Sequence, residues 1–135
     1  MKQRQINSLL SLLSVVMIAV VTFTGCTEDK PTPESGQNTQ VSFTVEVTDS
    51  QGTVTLFSFT TTEATVGAAL LAEGFIEGEV GAFGLMVSHV NGVRADYTED
   101  GAWWKVKING EDAMVGVDSI PVTEGDTYAF IYTPA

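Results

Sequence analysis

The sequence predicts an α+β domain in which a mixed sheet carries one short helix on one face. Three observations predict it. "VSFTVEV", residues 41–47, alternates apolar and polar side chains without a fault, the period of a half-buried strand. "TVGAALLAEG", residues 65–74, changes to a helical period. Two Asn-Gly pairs, 91–92 and 109–110, mark tight hairpin turns further on. The order is hairpin, helix, then several strands, and it favours a β-grasp-like arrangement over residues 41–135.

The elements follow in order. Val41, Phe43, Val45 and Val47 share one face of the first strand. "DSQG", 49–52, is a turn, and "TVTLFSFT" returns as the second strand. Its inward face stays open, because Val54 and Leu56 oppose Phe57 and Phe59 in parity. Thr65 is an N-cap for a helix of about nine residues. Val66, Ala69 and Leu70 form the apolar face of that helix, and Gly74 is the expected C-terminal stop. "FIEGEVGAFG" reads as a glycine-rich loop. "LMVSHVNGVRADY" and "WWKVKINGEDAMVGV" are strands carrying the Asn-Gly turns. "DSIPVTEGD" is a loop, with Pro121 unsuited to a central strand. "TYAFIYT" closes the sheet with Tyr128, Phe130 and Tyr132 on one side. About 95 residues are enough for one modest core.

The chain starts differently. Lys2 and Arg4 precede the apolar run "LLSLLSVVMIAVVTF", 9–23. A span needs about 20 residues, so the run reads as a secretory signal over 1–25; an uncleaved anchor helix is the alternative. Phe23, Thr24, Gly25 and Cys26 follow, and Cys26 is the only cysteine of the 135 residues. The four positions resemble the bacterial lipobox, with Phe23 where Leu is more usual. That resemblance implies a diacylglyceryl group (palmitate-type chains) on the Cys26 sulfur and cleavage that makes Cys26 the new N-terminus; acylation of the new amino end stays open. The alternative is a free thiol. Two or more chains make a stable anchor. The expected location is therefore the extracytoplasmic face of a bacterial cell membrane. Residues 26–40 then form the lipidated terminus and a polar linker, reaching about 45 to 50 Å when extended.

All 17 Asp and Glu follow Cys26, against Lys30, Arg94, Lys105 and Lys107. Such a surface repels phosphate backbones, so nucleic acid is excluded as a partner. It also repels anionic headgroups, which leaves attachment to the lipid on Cys26. Catalytic chemistry is thinly represented. His89 is the only histidine, and alone on a strand it reads as structural. Ser88 precedes it, and neighbours on a strand point to opposite faces, which argues against a triad. Asp96, Glu99 and Asp100 crowd one turn but lack calcium-loop spacing, so a solvated acidic loop is expected. No phosphate-binding loop, cofactor or metal site is read, and the protein is expected to be non-catalytic.

Trp103 and Trp104 are the most informative pair. Adjacent strand residues face opposite ways. Trp104 travels with Val106 and Ile108, towards a core. Trp103 travels with Lys105 and Lys107, outward. Trp103 and Lys105 are therefore the candidate ligand-binding residues; the competing reading covers Trp103 with the 77–84 stretch.

"GAWWKVKING" followed by "GVDSIPVTEGDTYAFIYTP" resembles the transcobalamin-like C-terminal domain family. Trp103-Trp104, Asn109-Gly110, Gly116-Val117 and Glu124-Gly125-Asp126 match it in order and spacing, with Trp103 where Tyr is commoner. "TTEATVGAALLAEG" is similar to the family's Thr-capped helix. The likeness runs over about residues 41–134. It implies the fold and a ligand-facing role outside the cell. Animal members place a large helical barrel before this domain, with the ligand between the two, and 135 residues have no room for one. Two functions are therefore expected. One is a surface lipoprotein whose domain binds a small, cobalamin-like ligand or a partner protein. The other is a structural module of a larger surface assembly, with no ligand of its own.

Overall fold

The structure, a computed structural model, describes residues 39–135. The expected leader (1–25), Cys26 and the linker up to residue 38 lie outside the described residues. Strand β1 (Val41–Thr48) buries Phe43, Val45 and Val47. Antiparallel to it runs β2 (Val54–Thr61), with Phe43 opposite Phe59 and Val45 opposite Phe57. Opposed residues share a face, so the register turns Phe57 and Phe59 inward and leaves Val54 and Leu56 in solvent. The connecting turn closes on Asp49, whose Oδ1 accepts from the N–H groups of Gln51 and Thr53 at 2.8 and 2.9 Å.

Helix α1 (Val66–Ala72) starts at Thr65, whose hydroxyl accepts from the Ala68 N–H at 3.3 Å. It stops by a Schellman motif. Gly74 has φ +65° and donates to Leu71 O, while Phe75 donates to Leu70 O at 2.9 Å. Phe75 then stacks edge-on against Phe57 and Phe59, with ring centres 4.9 and 5.0 Å apart. Val66, Ala69 and Leu70 are buried. Seven residues have little helical stability alone, so this burial and the two caps hold the helix.

The glycine-rich stretch after the helix is a strand, contrary to the loop reading. Strands β3 (Ile76–Gly81), β4 (Gly84–Val90) and β5 (Val93–Arg94) form a separate antiparallel sheet. Its glycines are packing residues. A Cβ on Gly78 would overlap the Met86 carbonyl, so only glycine lets β3 lie this close to β4.

Strands β6 (Ala102–Ile108), β7 (Glu111–Asp112) and β8 (Thr127–Pro134) complete the first sheet, in the order β2-β1-β8-β6-β7. The β1–β8 pair is parallel and its other pairs are antiparallel. The described domain is thus mostly strand, with one short helix, a mixed sheet and an antiparallel sheet. Both Asn-Gly pairs sit in two-residue turns, with Asn91 and Asn109 at φ +47° and +50°. Tyr128, Phe130, Leu70 and Ile76 are among the most deeply buried side chains, and every buried residue among those described is apolar or aromatic.

Candidate functional site

Strand β6 splits its two tryptophans as strand geometry requires. Trp104 is 5% exposed and meets Tyr132 edge to face at 5.6 Å. Trp103 is 42% exposed. It borders two adjoining hollows, of about 240 and about 450 Å³, and Met86 and Val87 of β4 also line both. The groove therefore lies where β4 of the small sheet faces β6 of the large one.

The smaller hollow is apolar. Leu85, Trp104, Val106 and Val115 line it. The Trp104 indole N–H is buried and has no hydrogen-bond partner among the described residues. A buried donor left unmatched costs about 1 to 3 kcal/mol.

The larger hollow is polar and aromatic. Tyr97, 69% exposed, and Trp103 supply rings, and Met86, 67% exposed, supplies a thioether. Glu79, His89, Arg94 and Asp96 also line it. Arg94 is not free. Its Nε and Nη2 donate to the two oxygens of Asp100 at 3.0 and 2.9 Å, and Glu99 lies 3.7 Å away. The hydrogen bond from Arg94 holds the Asp100 carboxyl below its usual range and, in return, raises the guanidinium. Asp96 Oδ1 accepts from the Thr98 and Glu99 N–H groups, both at 2.8 Å. The crowded carboxylates of this turn are therefore engaged locally. Among the described residues no three His, Cys, Asp or Glu side chains converge on a metal-sized site.

Ser88 and His89 do meet, against the opposite-face argument. Ser88 Oγ lies 3.0 Å from His89 Nδ1. The cause is a register shift: Glu77 pairs with His89 but Gly78 pairs with Val87, leaving Ser88 as the extra residue of a bulge. A bulge breaks the strict alternation of side chains. Glu77 Oε2 also approaches Nδ1, at 3.9 Å. Serine and carboxylate thus address the same nitrogen, whereas a triad needs them on opposite ones.

Lys105 shares the outer face with Trp103. Its Nζ lies 2.8 Å from Asp112 Oδ2, with Lys107 3.4 Å from the other oxygen. It lines neither hollow. Met86 and Tyr97 were not singled out in the sequence: one sits in an ordinary apolar strand, the other in an acidic turn.

Residues 63–133 match the family described as Domain of unknown function (DUF4430). The chain belongs to this family. A crystal structure of a protein from Ruminococcus gnavus ATCC 29149, described as a candidate metal-binding protein, is similar at 28% identity and a TM-score of 0.66, covering 70% of this chain and 98% of that one. Haptocorrin in complex with Cbi shares the fold at 17% identity and a TM-score of 0.56, covering 74% of this chain and 26% of haptocorrin. This DUF4430 chain thus spans about a quarter of haptocorrin. No curated protein matches it. The transcobalamin-like resemblance agrees with both the family and the fold.

Of the motifs that carried that resemblance, Trp103-Trp104 and Gly116-Val117 line the smaller hollow, while Asn109-Gly110 and Glu124-Gly125-Asp126 turn out to be joints. Asn109 Oδ1 accepts from Thr127 N–H at 2.9 Å and its Nδ2 donates to Asp126 at 3.0 Å. Glu124 Oε2 accepts from Ser42 N–H at 2.6 Å, and Gly125 donates to Ser42 O at 2.8 Å. They tie the start of β8 to β1 and β6, away from the groove.

Proposed function

We propose that this DUF4430 domain is a non-catalytic binding module that seats a ligand in the groove beneath Trp103. The observation that carries the reading is the half-exposed indole shared by two adjoining hollows. Large apolar side chains gathered in a concavity mark binding surfaces more often than chance exposure does. Lys105, held by Asp112 on the same outer face, lies outside both hollows; a ligand extending beyond the groove would bring it into contact. The fold supports the comparison with binding proteins. Its order β2-β1-β8-β6-β7 with a parallel β1–β8 pair supports the β-grasp-like reading. The lipobox-like Cys26 supports attachment to the outer face of a bacterial membrane, after loss of residues 1–25.

The haptocorrin likeness extends to the fold alone, so a corrinoid is a probe to try first. Titrating a corrinoid into the purified chain while following tryptophan emission tests the reading. Saturable binding that Trp103→Ala weakens, with the fold intact, supports it. Affinity unchanged by Trp103→Ala removes this groove.

One observation favours a second reading, an assembly module without a ligand. Strand β2 is a sheet edge eight residues long with no charged side chain, and Val54 and Leu56 are exposed on it. Natural edges are usually blunted by charge or proline, and such an edge accepts a partner's strand. Co-purification of one surface protein, lost on Leu56→Lys, distinguishes this reading.

A further inference from the structure

We propose that the larger hollow binds an organic cation, a quaternary or alkylated ammonium group, between Trp103, Tyr97 and Met86. The inference rests on the reading above for the use of this groove and names the ligand class its larger half would take.

Three observations converge. The first is the rim. Two aromatic side chains and a thioether border one hollow of about 450 Å³, and Tyr97 and Met86 stand well out into solvent. Aromatic faces carry partial negative charge and attract ammonium groups, most strongly those of Trp. The second is the field. Glu79 and Asp96 line the hollow, and Arg94, its one permanent cation, is cancelled by Asp100 and Glu99. Glu77 stands behind His89. Carboxylates outnumber cations here, so an anionic ligand is repelled and a cationic one drawn in.

The third observation is the state of the polar groups. Asp96 Oδ1 is taken by two backbone N–H groups, Arg94 by Asp100, and Ser88 and His89 by each other. The donors are thus largely engaged, while the acceptors that stay open, Glu79 and Asp96 Oδ2, are anionic. Anionic acceptors beside aromatic rings suit a cation better than a neutral sugar or amide, and an alkylated ammonium offers charge and methyl groups to both. Neither Glu79 nor Asp96 has an ion pair among the described residues, and the Glu79 carboxylate makes no hydrogen bond among them either, so its charge is the more available to a ligand.

Choline chloride titrated into the purified full chain tests this, with tryptophan emission as readout and dimethylbutanol, its uncharged carbon isostere, in parallel. Choline is expected to bind saturably, and dimethylbutanol at least about tenfold more weakly if cation–π attraction dominates. Tyr97→Ala and Glu79→Gln should each weaken choline several-fold without moving the urea midpoint, since both side chains are exposed. Tyr97→Phe, which keeps the ring, should retain binding. Equal affinity for both probes overturns the proposal, because then only apolar area matters. No saturable choline binding also overturns it. If a corrinoid or other ligand still binds through Trp103 while choline does not, this inference fails and the binding reading stands. If choline binds and Trp103-dependent corrinoid binding is absent, the site is a cation site alone.

Discussion

Asp118 Oδ1 accepts a 2.9 Å hydrogen bond from the Leu85 backbone N–H, 33 residues away in sequence. The bond fastens the start of β4 to the short 3-10 turn at Val117–Ser119. Three glycines make room for it. A Cβ on Gly84 or Gly116 would sit 2.6 Å from Asp118 Oδ1, and one on Gly67 would sit 2.8 Å from the Asp118 nitrogen. Small sheet and turn therefore meet at the Asp118 carboxylate and the helix at its backbone, next to the wall of the smaller hollow.

Gly84→Ala is expected to be severe, since Gly84 also holds φ +101°. Strain alone costs about 1 to 3 kcal/mol. Asp118→Ala should cost about 1 to 2 kcal/mol by orphaning the Leu85 N–H. In the double variant the penalties should fall short of their sum, because the alanine methyl no longer meets the carboxylate. Urea unfolding of the four proteins measures this.

The two tryptophans should separate cleanly. Trp104→Ala removes a buried ring packed on Tyr132 and is expected to cost about 3 to 5 kcal/mol. Trp103→Ala should change stability by less than about 1 kcal/mol. In the wild-type protein, acrylamide should quench a Trp103 component well before a Trp104 component, with single-Trp variants assigning the two.

Acid should loosen the Arg94–Asp100 turn. The guanidinium holds the Asp100 carboxyl below its unfolded value. The stabilisation is thus complete above about pH 4, the ordinary carboxylate value, and is lost as pH falls through the folded one. Asp100→Asn should flatten the acid limb of a plot of melting temperature against pH. An unchanged limb would show that Asp112 and Asp49, whose carboxyls are also lowered, carry the acid sensitivity instead.

Asn109→Ala should cost about 2 kcal/mol. The residue holds φ +50°, which alanine resists, and its side chain makes both bonds to the start of β8. Asn109→Gly should recover the backbone part only. Chemical denaturation of both variants divides the loss between conformation and hydrogen bonding.

Much of this fold is legible in the sequence because its signals are local. Alternation gives β1, a hydroxyl cap and a glycine stop frame α1, and Asn-Gly fixes two turns. Trp103 is placed outward by parity with Lys105, with no knowledge of partners. What the sequence hides depends on a neighbouring strand. The inward face of β2 is decided by its register with β1, since Val54 and Leu56 are as apolar as Phe57 and Phe59. Glycines in β3 look like a loop until the Met86 carbonyl is seen against Gly78. The Ser88–His89 contact exists only because β3 and β4 slip by one residue. Tyr97 had no pattern to join; an aromatic alone in an acidic turn was the signal available.

The parallel pairing of β1 with β8 sets a timetable for the growing polypeptide. Strand β1 lies inside the large sheet, next to its middle strand β8, and waits for that last strand to arrive beside it. Contacts so far apart in sequence form slowly. Until Thr127–Pro134 is present, β1 and β6 lack the strand that joins them. For the export proposed above, such a delay would keep the chain open while it is threaded across a membrane.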